Sequence, residues 1–120
     1  MIDNKKIEKL MEKLKDNSIK NEELLDCLDS NYFSSMGLAI YKIIDRKYCN
    51  EYIIKKLVQI AALLKDYKVA GPYQIGHLAI AALFLVENKS ALECFNQIYT
   101  DLDSNHKFLV DNFIKGMLFG

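Results

Sequence analysis

The chain has 120 residues, 51% of them hydrophobic and 27% charged, with one proline and five glycines. That length buries one core, the apolar content excludes disorder, and the scarcity of proline and glycine excludes a loop-rich sandwich or barrel. Sixteen basic residues balance sixteen acidic ones, eleven against ten in residues 1–60 and five against six thereafter, so no generic attraction to nucleic acid or anionic membrane is built in.

The first helix is expected from residue 3 or 4 to about 15, capped by Asp3 or Asn4, with Ile7, Leu10, Met11 and Leu14 on one stripe. A short second helix, about 22 to 28, has Asn21 as cap and turns Leu24, Leu25 and Leu28 inward. A third runs from about 32 to 45 with Phe33, Met36, Ile40, Ile43 and Ile44 inward. Gly37 inside it costs roughly 1 kcal/mol against alanine and points to close helix packing. The fourth, from its cap Asn50 to about 66, has a wide apolar face of Ile53, Ile54, Leu57, Val58, Ile60, Ala61 and Leu64.

Residues 67 to 71 form the clearest loop, and Pro72 suits the first turn of a fifth helix over 72 to 86. That helix is apolar almost all round, as a helix buried between neighbours should be. Its apolar run, Leu78 to Val86, is too short to span a bilayer. The sixth helix, capped by Ser90, carries Leu92, Phe95, Ile98, Tyr99 and Leu102; the seventh, 106 to 119, carries Phe108, Leu109, Phe113, Ile114, Met117 and Leu118. Residues 67 to 69 are the sole strand candidate and are too few. The expected fold is all-α: seven helices, paired antiparallel, in one domain over 1–120.

Leu38-Ala39-Ile40 recurs as Leu78-Ala79-Ile80, and the offset of 40 also aligns Ile43 with Leu83, Ile44 with Phe84, Tyr52 with Leu92 and Val58 with Ile98. A period near 40 carried by helix pairs is the mark of stacked hairpin repeats. With the Gly71-Pro72 entry to the fifth helix, these residues resemble the HEAT and armadillo superfamily of α-solenoids across roughly 32 to 103. The resemblance implies a short solenoid with units at 32–66 and 72–103. An N-terminal pair at 3–29 and a last helix at 106–119 would complete its core. It also implies a surface that binds other molecules rather than a catalytic cleft.

Small size, absence of catalytic motifs and an Ile/Lys/Asn-rich composition are similar to bacterial immunity proteins, which neutralise toxins delivered between competing cells. That resemblance implies steric occlusion of a toxin's active site by one end or face of the stack.

No chemical motif stands out, so no catalytic residue, metal or cofactor is expected. Neither His77 nor His106 has a helix-spaced Cys or His partner; His77 reads as hydrogen-bonded and semi-buried, and His106 as solvent-exposed. Cys27, Cys49 and Cys94 are odd in number and form no C-x-x-C, which reads as a reduced, cytoplasmic protein. The polar start of the chain is unlike a signal region. Cys49 sits at a helix start, where a thiol can be activated, but it reads as a half-buried small residue. The acids Glu22, Glu23, Asp26 and Asp29, and Asp101 with Asp103, read as solvated or capping.

Lys42, Arg46, Lys47, Lys55 and Lys56, interleaved with Tyr41, Tyr48 and Tyr52, could meet phosphates and bases, unless Asp45 and Glu51 neutralise them in place. Seven tyrosines and no tryptophan suit a protein interface, or simply tyrosine standing for phenylalanine. The expected partner is therefore another protein, and the expected contact residues are Tyr67, Tyr73, Gln74, Asp101 and Asp103. Nucleic-acid or adaptor binding through the basic patch is the alternative.

Overall fold

The computed structural model describes residues 4–30, 32–64 and 68–119. Seven helices appear where the apolar stripes place them: α1 (Asn4–Asp16), α2 (Asn21–Leu28), α3 (Phe33–Arg46), α4 (Glu51–Ala61), α5 (Ile75–Leu85), α6 (Lys89–Asp101) and α7 (Ser104–Phe119). Before α5 lies a small antiparallel hairpin, β1 (Lys68–Ala70) and β2 (Tyr73–Gln74). The chain is all-α apart from that hairpin.

α5 is the hub. It packs on α3, α4, α6 and α7, and from Ile75 to Leu83 it is buried without a break. A helix enclosed on every side has no use for a polar face, which is why the run Leu78–Val86 is apolar throughout. Ile40, Ile43, Ile53, Leu57, Leu78, Ile80, Leu83 and Val110 are fully buried around it. At about 0.8 kcal/mol per buried methylene, these side chains dominate the favourable side of folding. The aligned pairs Ala39/Ala79, Ile40/Ile80 and Ile43/Leu83 all lie in this core. Leu38, Phe84, Tyr52, Leu92 and Val58, also aligned, are at least a third exposed. The 40-residue match therefore mixes core positions with surface ones.

Four local expectations are corrected. The fifth helix begins at Ile75 rather than Pro72, because Gly71 takes φ 56° and turns the chain so that Lys68 faces Gln74 and Ala70 faces Tyr73. α4 stops at Ala61, short of the expected end near 66. α6 is capped by Asn88, whose side chain accepts from the Ala91 N–H at 3.1 Å, so Ser90 lies inside the helix. Lys20 takes the cap position of α2, and Asn21 is that helix's first residue. The cap at Asn50 is as expected, with Oδ1 accepting from the Ile53 N–H at 2.9 Å. The possible cap Asp3 lies outside the described residues.

Close packing by glycine belongs to Gly76 rather than Gly37. A Cβ on Gly37 would sit 3.8 Å from Leu78 and 3.9 Å from Ile75, ordinary contact. A Cβ on Gly76 would meet Leu64 Cδ2 at 2.6 Å and the Ala61 carbonyl oxygen at 3.2 Å. Gly76 is what lets α5 lie against the end of α4.

Candidate functional site

His77 is completely buried in the first turn of α5. Its Nδ1 accepts the backbone N–H of Gln74 at 3.0 Å, and its Nε2 lies 2.8 Å from Nδ1 of His106 in the first turn of α7. Because Nδ1 is an acceptor, the neutral ring carries its proton on Nε2 and donates it to His106. His106 is therefore only partly exposed, and the expectation that it is free in solvent is corrected. Burial first, and the charge of His106 second, push His77 down to about 4. The hydrogen-bond pattern also sets the pair against metal ligation. Nε2 could bind a cation only by losing its proton while Nδ1 still accepts, which requires an imidazolate.

The expected contact residues divide. Tyr67 lies outside the described residues. Tyr73 is half-buried with its ring edge-on to Phe113, centroids 5.2 Å apart. Gln74 gives its backbone N–H to His77, while its Oε1 is buried without a hydrogen-bond partner among the described residues. Asp103 caps α7, its Oδ1 accepting the His106 N–H at 2.8 Å. Gln74 and Asp103 thus meet through the two histidines, and both are engaged in holding α5 and α7. Asp101 is exposed on a separate groove of about 350 Å³ between α4 and α6, floored by Val58, Ala61, Ile98 and Leu102.

The basic patch disperses. Lys42 donates to Asn17 Oδ1 and Arg46 to Asn21 Oδ1 at 2.9 Å. Lys56 pairs with Asp29 at 2.8 Å and Lys47 with Glu87 at 3.8 Å. Tyr52 donates to the other Asp29 oxygen at 2.6 Å. Lys55 is exposed. The neutralising partners are Asp29 for Lys56 and Glu87 for Lys47, rather than Asp45 and Glu51, while Lys42 and Arg46 hydrogen-bond to uncharged asparagines and keep their charge. Lys42 and Arg46 share one side, toward the junction of α1 and α2, while Lys47 and Lys56 pair elsewhere.

The N-terminal acids are engaged too. Glu23 takes Lys13 at 2.5 Å, and that hydrogen bond holds its carboxyl below the usual range. Burial works to raise Asp29, but the hydrogen bonds from Lys56 and Tyr52 outweigh it and hold the carboxyl low. Burial pushes Cys27 up to about 11 and raises Cys49 as well, the reverse of what an activated thiol needs. Among the described residues, no group of three or more His, Cys, Asp or Glu could hold a metal ion.

A surface that the sequence did not single out lies on the far side of α5. One hollow of about 430 Å³ is lined by Leu14, Leu38, Tyr41, Lys42, Asp45 and Met117. A second of about 210 Å³ is lined by Ile44, Phe84, Leu85 and Leu118 with Lys47 and Glu87 at its edge, and it shares Asp45 and Met117 with the first. Together they make one groove across α3, α5 and α7. Leu38, Phe84, Leu118 and Phe119 stand exposed there or beside it, Phe119 at 84%. Its charges, Lys42, Asp45, Lys47 and Glu87, are of both signs and sit at the rim. A surface that mixes exposed apolar side chains with charges of both signs is compatible with a protein interface.

No described helix is long and apolar enough to cross a membrane. Comparison of the chain with protein families, with curated proteins and with solved structures finds no match.

Proposed function

We propose that this chain is a non-enzymatic helical module that binds another protein in the groove formed by α3, α5 and α7. One observation carries the reading: Leu38, Phe84 and Leu118 are exposed along two adjoining hollows of mixed apolar and charged lining, and Phe119 stands exposed next in the chain to Leu118. Exposed apolar surface clustered in this way marks an interaction site more often than scattered exposed leucines do. The hollows are shallow and open, which suits a side-chain cluster of a protein better than an enclosed small molecule. Carboxylates pair with Lys47 and Lys56, and Lys42, Arg46 and the exposed Lys55 are the charges left to meet phosphates on a chain of zero formal net charge, so nucleic acid is the weaker reading.

The specific form of this proposal is an immunity protein that blocks a toxin domain by occlusion in the cytoplasm. Small size, balanced charge and free cysteines support it. The finer architectural proposal is that α3–α4 and α5–α6 are HEAT-like repeats. Shared core positions favour it, and the packing of α5 against four helices at once is more bundle-like than a one-dimensional stack.

The test begins with the gene immediately upstream. A secreted protein ending in a small cytotoxic domain there supports immunity, and that domain becomes the binding partner to assay. An ordinary metabolic neighbour contradicts the immunity form. Leu118→Asp is then expected to weaken binding roughly thirtyfold or more, the loss typical of an interface anchor. Leu118 is 56% exposed, so the variant should keep its stability to within about 0.5 kcal/mol. Phe84→Asp should weaken binding similarly but also loses the Phe95 ring, 5.2 Å away. Unchanged affinity in both variants removes the groove from the account.

A further inference from the structure

We propose that the His77–His106 pair is an acid-sensitive latch that fastens α7 to α5 and releases it when the pair takes up a proton. The inference stands independently of the groove and of any partner.

The hydrogen bonds form a one-way chain. The Gln74 N–H donates to His77 Nδ1, His77 Nε2–H donates to His106 Nδ1, and the remaining proton of His106 sits on its own Nε2. Every ring nitrogen that is not already protonated is an acceptor in use. A proton added to His77 Nδ1 would face the Gln74 N–H. A proton added to His106 Nδ1 would face the His77 N–H. In either place an acceptor becomes a donor opposed to a donor, and a hydrogen bond is lost in a buried site.

The surroundings offer no compensating anion to His77. It is the only titratable residue of α5, whose other residues from Ile75 to Leu85 are apolar or glycine. From β2, Gln74 presents its N–H, and its buried Oε1, without a partner among the described residues, is uncharged. Just before α7, Asp103 spends Oδ1 on the backbone N–H of His106, and no effect of its charge reaches His77. Lys107 lies over the Tyr99 ring at 5.5 Å. Among the described residues, His106 is the one charged or titratable group whose field reaches His77, and it opposes a second positive charge.

The release should begin with α7. That helix makes its main packing with α5, through Val110 and Phe113, and Phe113 also meets the rings of Tyr41 and Tyr73. The latch is at its first turn. Loss of the latch frees the end of α7 from which the rest is held by apolar contact, while α3 and α4 stay packed on α5.

Hydrogen exchange of the free protein at pH 7 and pH 4.5, corrected for the intrinsic pH dependence of exchange, tests this directly. Protection of the α7 amides is expected to fall about tenfold per pH unit below 6.5, and to fall more than that of α4. Nitrogen chemical shifts of the two rings at pH 7 should show His77 protonated on Nε2 alone. His77→Gln replaces the ring with a side chain whose oxygen can accept from Gln74 and whose amide can donate to His106, without a titrating group. That variant is expected to keep α7 protected at pH 4.5. A His77 ring that titrates near 6.5 in the folded wild type overturns the proposal. So does equal loss of protection in α4 and α7.

Discussion

Gly76→Val should destabilise the fold by about 3 kcal/mol, the upper end of what overpacking a tight contact costs. The first carbon of any side chain at this position comes within 2.6 Å of Leu64 Cδ2 and 3.2 Å of the Ala61 carbonyl oxygen. Leu64 can swing its methyl aside, but the carbonyl belongs to the last turn of α4 and cannot move without the helix. Valine adds two further carbons in a rotamer that a helix restricts. The α4–α5 contact would have to open. Alanine carries the same first carbon without valine's two further ones, so Gly76→Ala should also destabilise, but by less than Gly76→Val. Gly37→Ala should stabilise by roughly 0.5–1 kcal/mol, because its Cβ meets Leu78 and Ile75 at 3.8 and 3.9 Å and relieves only glycine's conformational entropy. Urea unfolding midpoints with unchanged slopes read all three. Destabilisation at Gly37 as large as at Gly76 would mean that the close approach has been misplaced.

Acid should be nearly as damaging. His77 is held neutral down to about 4 in the folded protein, against about 6.5 in an unfolded chain. Between those values the unfolded state binds a proton that the native state refuses. Stability is therefore fully present above about 6.5 and is lost as the pH falls toward 4, by up to about 3 kcal/mol. Urea denaturation at pH 7, 5.5 and 4.5 measures it. In His77→Gln that part of the slope should vanish, while the carboxylates Glu23 and Asp29, which are held low, contribute their losses at more acid pH. A wild-type stability that is flat from pH 7 to 4.5 would show that His77 is readily protonated in the native state.

The helices were legible because all but α5 carry an apolar stripe at helical spacing, α5 is a long apolar run without strand alternation, and most are bounded by Asn, Asp or Ser. The β1–β2 hairpin was not, since strands of three and two residues leave no alternation to read. Pro72 misled for the same reason: next to Gly71 it serves a turn as well as it serves a helix start. The pairing of His77 with His106 spans 29 residues and has no local signature. A signal did exist, because a histidine inside an otherwise apolar helix needs a buried polar partner, and only one other imidazole is present. The basic patch looked unified because Lys42, Arg46, Lys47, Lys55 and Lys56 are close in sequence; Lys42 and Arg46 turn together toward the start of α2, while Lys47 and Lys56 turn to other partners. The exposed cluster of Leu38, Phe84, Leu118 and Phe119 was illegible for a different reason. When a helix is apolar on every side, as α5 is, periodicity does not reveal which residue emerges.

The central claim is that the groove across α3, α5 and α7 is a docking surface for a protein. Hydrogen exchange of the chain with and without the partner domain that the upstream-gene test identifies, supplemented by amide chemical-shift mapping, tests it most directly. The account predicts new protection and the largest shifts at residues 38–47, 84–87 and 117–119. Changes confined to the α4–α6 groove at 58–62 and 98–102, or to the hairpin at 68–74, would contradict it.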